Sequence, residues 1–394
     1  MNSKPKLVVM LSRFPYPLEK GDKLRAYYQI KELSSEFDIT LIAVSTKNIS
    51  HESYNKLAEL CSKIEIIRLT KWSILWNLFC CLFTKKPFQV GYFYSFKGHL
   101  KVKQLLKEVN PNYIYCQLIR ATEYVKNYHS CPKTLDYMDA LSKGIERRIS
   151  KAPWYAKWVF KAESKRLKLY ERSVFDYFEN KTIISEQDRD LIHHPQKQLI
   201  ISVPNGIDQH FFEAISIKKE FDLVFVGNLS YQPNIEAVEY ISEEILNYRK
   251  DLSCLISGAT PSPFVQRLCR STKQITLQGW TEDIREAYCK GKIFIAPMMI
   301  GTGMQNKLLE AMALGIPCIT TSLANNAIKA TDGFSIVVAN TREEFILAID
   351  KLLNNPEFYH QIGNEGRHFV KNNYSWKMAC ASLKNILMNK HLNN

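Results

Sequence analysis

The residues best placed to do chemistry lie in one stretch, APMMIGTGMQNKLLEAMALGIP over residues 296–317. An apolar strand ends at Ala296-Pro297, and a flexible loop follows with Gly301, Thr302 and Gly303. The pattern then predicts a helix from Met304 to Leu314, stopped at Gly315. A helix start leaves free N–H groups and the positive end of the peptide dipole pointing outward, so Met304, Gln305 and the glycines before them make an anion site. Lys307 and Glu310 are three apart and share a face of that helix. A carboxylate there accepts hydrogen bonds from two ribose hydroxyls, while the lysine and the first turn hold phosphates. The plainer alternative is a helix start with a solvated Lys–Glu pair.

The first half supplies candidate catalytic carboxylates, Asp139 and Asp22. Gly21-Asp22 follows the first apolar strand, and glycine lets backbone approach a phosphate or sugar closely. The spacing predicts a helix over Asp22–Phe37, with Asp22 as N-cap. Asp136 and Asp139 close another strand, so either could reach a cleft. Asp139 would orient an acceptor hydroxyl or take its proton; its alternative role is to cap a helix over Leu141–Ser150. Asp188-Arg-Asp190 imitates a metal-binding D-x-D but falls in a helical segment, where positions two apart diverge. His193-His194 reads as a polar loop. The ten cysteines include no C-x-x-C pair, and neither they nor the histidines have metal-ligand spacing. No metal is expected.

The elements that must position these groups alternate strand and helix throughout. Apolar, β-branched runs occur at Leu7–Leu11, Ile39–Val44, Ile64–Leu69, Tyr113–Cys116, Thr134–Tyr137, Thr182–Ile184 and Leu199–Val203. They recur at Asp222–Val226, Leu252–Ile256, Gln274–Leu277, Lys292–Ala296, Pro317–Thr320 and Phe334–Val338. Helical patterns lie between, among them Tyr155–Phe178, Asn234–Arg249 and Arg342–Asn354. Strand and helix in alternation mean parallel sheets with right-handed crossovers. With 394 residues, the chain suits two such α/β domains. The expected division is 1–204, 205–374 and a last helix in 375–394 that crosses back onto the first domain. Ligands sit beyond the carboxyl ends of strands in such sheets, so the chemistry is expected in a cleft between the two.

Further motifs, in order along the chain, carry a resemblance. Residues 304–317 are similar to the donor-site helix of family 4 retaining glycosyltransferases of the GT-B fold. Phe225-Val-Gly-Asn-Leu-Ser-Tyr-Gln-Pro-Asn234 resembles the strand and loop that open their second domain. Gly279-Trp280-Thr-Glu-Asp283 resembles the loop holding the base, and Asn205-Gly-Ile-Asp208 an interdomain motif. Arg13-Phe-Pro-Tyr-Pro-x-x-x-Gly-Asp-Lys-x-Arg25, Leu135-Asp-Tyr-Met-Asp139 and Tyr170-Glu171 resemble a subgroup that accompanies exopolysaccharide and surface-glycan assembly. The resemblance implies a GT-B fold, the acceptor on the first domain and a nucleotide sugar, UDP- or GDP-linked, on the second. It implies no cofactor and places Gly21, Asn228, Gly279, Trp280, Gly301, Thr302, Gly303, Met304, Gln305, Lys307 and Glu310 at the donor. Two departures stand out. Thr302 replaces the first of two glutamates eight positions apart, and Asn228 and Pro233 replace the Arg and Lys that hold phosphate. Lys307 is the expected replacement cation.

Charge points to a second partner. The net charge is +14, and residues 1–200 carry all of it, with 34 Lys+Arg against 20 Asp+Glu; residues 201–394 carry 19 of each. The uncharged run WSILWNLFCCLFT over Trp72–Thr84 is flanked by lysines and is too short to span a bilayer, which takes about 20 residues. Lys151–Arg172 mixes tryptophans with seven basic residues. Aromatics among lysines suit an anionic membrane surface, although either helix could instead face a core. The opening residues lack a signal-peptide pattern, so the expectation is a cytoplasmic protein, peripheral on the inner membrane face. A lipid-linked sugar is the expected acceptor. A sugar-nucleotide epimerase of the same fold is the first rival. A nucleic-acid-binding protein is the second, disfavoured by the absence of a recognisable binding module.

Overall fold

The computed structural model describes residues 4–149, 153–213, 215–300 and 304–388. They form two units. One holds the chain up to Pro204 together with residues from Ala379 onward; the other is Asn205–Met378.

The first unit is built on seven strands: β1 (Lys6–Leu11), β2 (Asp38–Ser45), β3 (Lys63–Arg68), β4 (Tyr113–Gln117), β5 (Lys133–Asp136), β6 (Asn180–Ile183) and β7 (Ile200–Ser202). Their order is β3-β2-β1-β4-β5-β6-β7, and every pair is parallel. In register, Val9 sits between Leu41 and Tyr115. β1 and β2 read as nearly unbroken apolar runs because helices cover both faces of the sheet. From Ala379 the chain joins the core of this unit, where Leu383, Ile386 and Leu387 pack with Leu7, Val9 and Ile30.

The second unit has six strands: β8 (Phe221–Val226), β9 (Cys254–Ser257), β10 (Ile275–Gln278), β11 (Gly291–Ala296), β12 (Cys318–Thr320) and β13 (Val337–Val338). They are ordered β10-β9-β8-β11-β12-β13, again all parallel. In each sheet the order reverses beside the first strand, between β1 and β4 and between β8 and β11. That reversal opens a crevice at the strands' carboxyl ends. The loops that follow β8 and β9 in the second unit are held close by glycine: a Cβ on Gly258, whose φ is +152°, would lie 1.7 Å from the Gly227 carbonyl oxygen.

Several boundaries differ from the sequence pattern. The first helix is Gly21–Leu33 with Lys20 as N-cap, so Asp22 lies in the first turn and does not cap it. The helix expected from Met304 is Asn306–Ala313, with Gln305 at the N-cap. The pattern at 234–249 is a helix over Gln232–Tyr240 that widens into a π turn, Ile241–Leu246. The strand expected over 334–338 shrinks to Val337–Val338. Apolar periodicity marks which face is buried but not where hydrogen bonding begins, which the caps decide.

Candidate functional site

The helix Asn306–Ala313 follows β11 and buries Leu308, Leu309, Ala311 and Met312 in the core of the second unit. That leaves Lys307 and Glu310 on the opposite side, and they do not pair with each other. The Lys307 ammonium donates to Asn234 Oδ1, lies 3.5 Å from Met298 Sδ and stands 5.1 Å over the Phe225 ring. Desolvation in this cage pulls its pKa down to about 7, with the Glu310 charge acting in the other direction. Glu310 instead accepts a 2.6 Å hydrogen bond from the buried Tyr288 hydroxyl. Burial raises its pKa, and the Tyr288 hydrogen bond, His210 and Lys307 act against the rise. The solvated Lys–Glu pair is therefore not what forms. The helix face carries a desolvated lysine without a carboxylate partner and a carboxylate fixed at one oxygen.

The remaining donor-site expectations fall around the same strand ends. Asn228, after β8, is exposed, and its side chain is engaged locally by the Ser230 amide at 3.0 Å and hydroxyl at 2.7 Å. Its carbonyl takes the Asn234 side-chain N–H at 2.8 Å, so this loop orients the residue that holds Lys307. Pro233 is buried in the first turn of the next helix. Gly279 is open, with nothing within 4 Å of where a Cβ would stand, and Trp280 is 73% exposed. Met304 and Gln305 are partly buried just ahead of Lys307. Gly301, Thr302 and Gly303 lie outside the described residues. Sequence reasoning missed Tyr288, Phe225 and Met298 as partners of Glu310 and Lys307. Nothing in their local pattern distinguishes them from core residues.

In the first unit the two aspartates of Leu135–Asp139 part company. Asp136 is fully buried. It pairs with Arg25 at 2.7 Å and accepts from the Tyr115 hydroxyl at 2.7 Å and the Thr182 hydroxyl at 3.1 Å. It belongs to the scaffold and is no candidate for catalysis. Asp139 is instead exposed to solvent. The protein around it thins its hydration, and Asp188, Asp22 and Asp136 add like charge; together these push its carboxyl up to about 6 against the pull of Arg120. Capping of the helix Leu141–Ile149 falls to Glu171, whose carboxylate accepts from the Ser142 amide at 2.9 Å and its hydroxyl at 2.6 Å. Asp22 is ion-paired with Arg13. Arg13 and Arg120 both stack on Phe93, with 5.4 and 5.6 Å between guanidinium carbon and ring centroid. Arg120 follows β4 at the strand-order reversal, a position the sequence pattern did not single out.

The D-x-D segment splits as expected. Asp188 is buried against the Ser185 hydroxyl at 2.6 Å, while Asp190 faces Lys197 on the surface. Among the described residues no three His, Cys, Asp or Glu side chains gather as a metal ion would need.

Two helices of the first unit leave large apolar side chains uncovered. On Lys71–Leu82, Trp72 is 83% exposed and Trp76 66%, with Leu75, Phe79 and the following Phe83 also exposed. On Trp154–Val174, Trp154 is 85% exposed and Trp158 68%. Neither set faces a core. No helix among the described residues is long and apolar enough to cross a membrane.

Residues 220–355, which hold the whole lysine cage and Glu310, match the family described as Glycosyl transferases group 1. The chain is 23% identical to an uncharacterized 44.6 kDa protein in the cps region of Klebsiella pneumoniae, over 96% of this chain and 98% of that one. It is 28% identical to the UDP-Gal:alpha-D-GlcNAc-diphosphoundecaprenol alpha-1,3-galactosyltransferase of Escherichia coli, over 42% of this chain and 49% of that one. In structure it is similar to HepE from Anabaena, solved in complex with UDP, with a TM-score of 0.68 at 11% identity over 98% of this chain and 100% of that one. Fold, matched segment and relatives together support a glycosyltransferase of the group 1 type on two Rossmann-like domains of the GT-B kind.

Proposed function

We propose that this chain is a retaining, family 4 hexosyltransferase that moves a sugar from a nucleoside diphosphate sugar to a lipid-linked glycan acceptor during bacterial surface polysaccharide assembly. The observation that carries the reading is the helix face of Lys307 and Glu310, set at the strand ends of the group 1 segment. A lysine with no carboxylate partner takes a diphosphate as its counter-ion, and Glu310 keeps one oxygen for ribose hydroxyls. Uridine is the favoured base, because the E. coli relative's name specifies UDP-Gal and the HepE structure holds UDP. The diphosphoundecaprenol acceptor of that relative and the cps region of the other support the acceptor class.

The first unit takes the acceptor, with Asp139 orienting its hydroxyl. In a same-face substitution the bond from C1 to the diphosphate breaks as the acceptor oxygen bonds to C1. The acceptor proton passes to the departing diphosphate, whose charge the helix N-terminus and Lys307 stabilise. No cofactor takes part, and turnover is expected to persist in EDTA. The exposed tryptophans and the basic excess hold the protein on the anionic inner face of the membrane. Nucleic acid is not a partner.

Calorimetry tests the donor site. Lys307→Ala weakens UDP binding and leaves uridine binding unchanged. Glu310→Gln weakens both, by about 1.5–3 kcal/mol for a lost charged hydrogen bond. Wild-type UDP affinity in Lys307→Ala would refute the assignment.

A further inference from the structure

We infer that a cavity of about 420 Å³ in the first unit, at the carboxyl ends of β1 and β2, seats the phosphate groups of a lipid-linked acceptor, with the lipid leaving over the helix Lys71–Leu82. This rests on the acceptor assignment above and adds the site and the chemistry that would hold it. Its volume falls within the roughly 300–1,000 Å³ of small-molecule sites.

Charge is the first argument. Arg13, Lys20, Lys23 and Lys47 line the cavity against one carboxylate, Glu19. Arg13 is paired with Asp22, but Lys20, Lys23 and Lys47 form no ion pair with a carboxylate among the described residues. Burial lowers the Lys23 pKa, and Lys20 and Arg13 push it the same way while Glu19 and Asp22 resist. Like charges gathered in a concavity in excess of the carboxylates beside them cost free energy that an anion recovers. Backbone supplies the second argument. The helices Gly21–Leu33 and His51–Ala58 both begin at this cavity, through Lys20 and Lys23 of one and Ser50 and Ser53 of the other. Two dipole ends thus add to the ammonium groups.

The third argument says what carries the phosphate. Tyr92 and Phe93 form an aromatic wall of the cavity, and the segment bearing them is fastened to the exposed apolar helix. Asn77 of that helix donates to the Tyr94 carbonyl at 2.6 Å, and Gly91 lies so close that a Cβ there would be 2.3 Å from Cys81 Sγ. Trp76 and Phe79 are exposed on the same helix. A polar, cationic cavity walled by a segment anchored to an uncovered apolar helix suits an amphiphile with a diphosphate head. A free sugar phosphate would leave the apolar part without a role.

Farnesyl diphosphate and inorganic diphosphate are the probes, each titrated by calorimetry into the full chain with the Lys307 site filled by saturating UDP, and UDP titrated alone as control. The wild type is expected to bind farnesyl diphosphate more tightly than inorganic diphosphate. Lys20→Ala/Lys47→Ala should weaken both by about tenfold to a hundredfold, the range for lost charge-assisted hydrogen bonds, and leave UDP affinity unchanged. Trp76→Ser/Phe79→Ser should weaken farnesyl diphosphate alone. Unchanged binding in the lysine variant overturns the cavity assignment. Equal affinity of the wild type for the two probes overturns its lipid-linked part. Failure of the wild type to bind UDP would strike the donor-site reading, leaving the farnesyl arm to judge the cavity.

Discussion

The two sheets reverse their strand order in the same way yet equip the crevice oppositely. In the second unit the candidate groups are few and individually held: Lys307 by Asn234 and Phe225, Glu310 by Tyr288. In the first unit the groups at the strand ends are numerous and cationic, and several have no ion-pair partner. The difference teaches that position on a sheet does not give a polar residue its task; the partners folded around it do. Asp136 and Asp139 make the point within one strand end. Three residues apart, one is locked to a buried arginine and the other opens to solvent with its carboxyl at about 6.

The largest expected effect breaks the scaffold side of that contrast. Arg25→Ala leaves Asp136 charged, buried and unpaired, which costs about 3–5 kcal/mol of stability by urea denaturation. Asp139→Asn should not cost stability at neutral pH, because the fold resists that carboxylate's ionisation, while it lowers turnover by about a hundredfold if the carboxylate serves the acceptor hydroxyl. Equal stability losses in the two variants would erase the distinction. The wild-type rate should climb with pH through about 6 as Asp139 ionises. The sign for stability is the reverse. Its folded pKa lies above the unfolded value, so between about 4 and 6 the folded state binds more protons, and Asp139's contribution falls as pH rises across that window.

A smaller effect sharpens the second unit's side. Lys307 titrates at about 7, and a diphosphate prefers its charged form. UDP affinity should therefore decline above pH 7, by at most about tenfold per unit for one linked proton, and that slope should vanish in Lys307→Ala. A slope retained in the variant would point to another titrating group. The smallest effect concerns the uncovered surface. Co-sedimentation with anionic vesicles should fall as salt rises, since each basic residue near the surface contributes about 1 kcal/mol. Trp72, Trp76 and Phe79 changed to Ser should weaken it further; no binding at low salt would dismiss the membrane role.

Much of the fold was legible because it is written in local periodicity. Apolar runs of strand length separated by helical patterns marked each of the thirteen strands among the described residues, though β13 proved shorter than its pattern. The lysine–glutamate face was legible too, because residues three apart on a helix share a side whatever surrounds them. What those residues touch was not. Lys307 reaches an asparagine 73 positions away and Arg25 an aspartate 111 positions away. No spacing rule links such residues; they meet because parallel crossovers return every strand end to the same edge of its sheet.

The sequence by itself determined the class of the molecule: two parallel α/β sheets, a helix after β11 with Lys307 and Glu310 on one face, a first half bearing the whole net charge, and stretches of tryptophan among lysines. These follow from composition and from neighbours within a turn or two of chain. Tertiary structure alone decided that Asp136 is scaffold and Asp139 is open, that Glu171 and not Asp139 caps the next helix, that Lys307 is partly buried without a carboxylate partner, and that Lys20, Lys23 and Lys47 share a cavity. The physical reason is common to all four. Burial and charge proximity set a group's protonation and partners, and both depend on which distant segments the sheet order brings together.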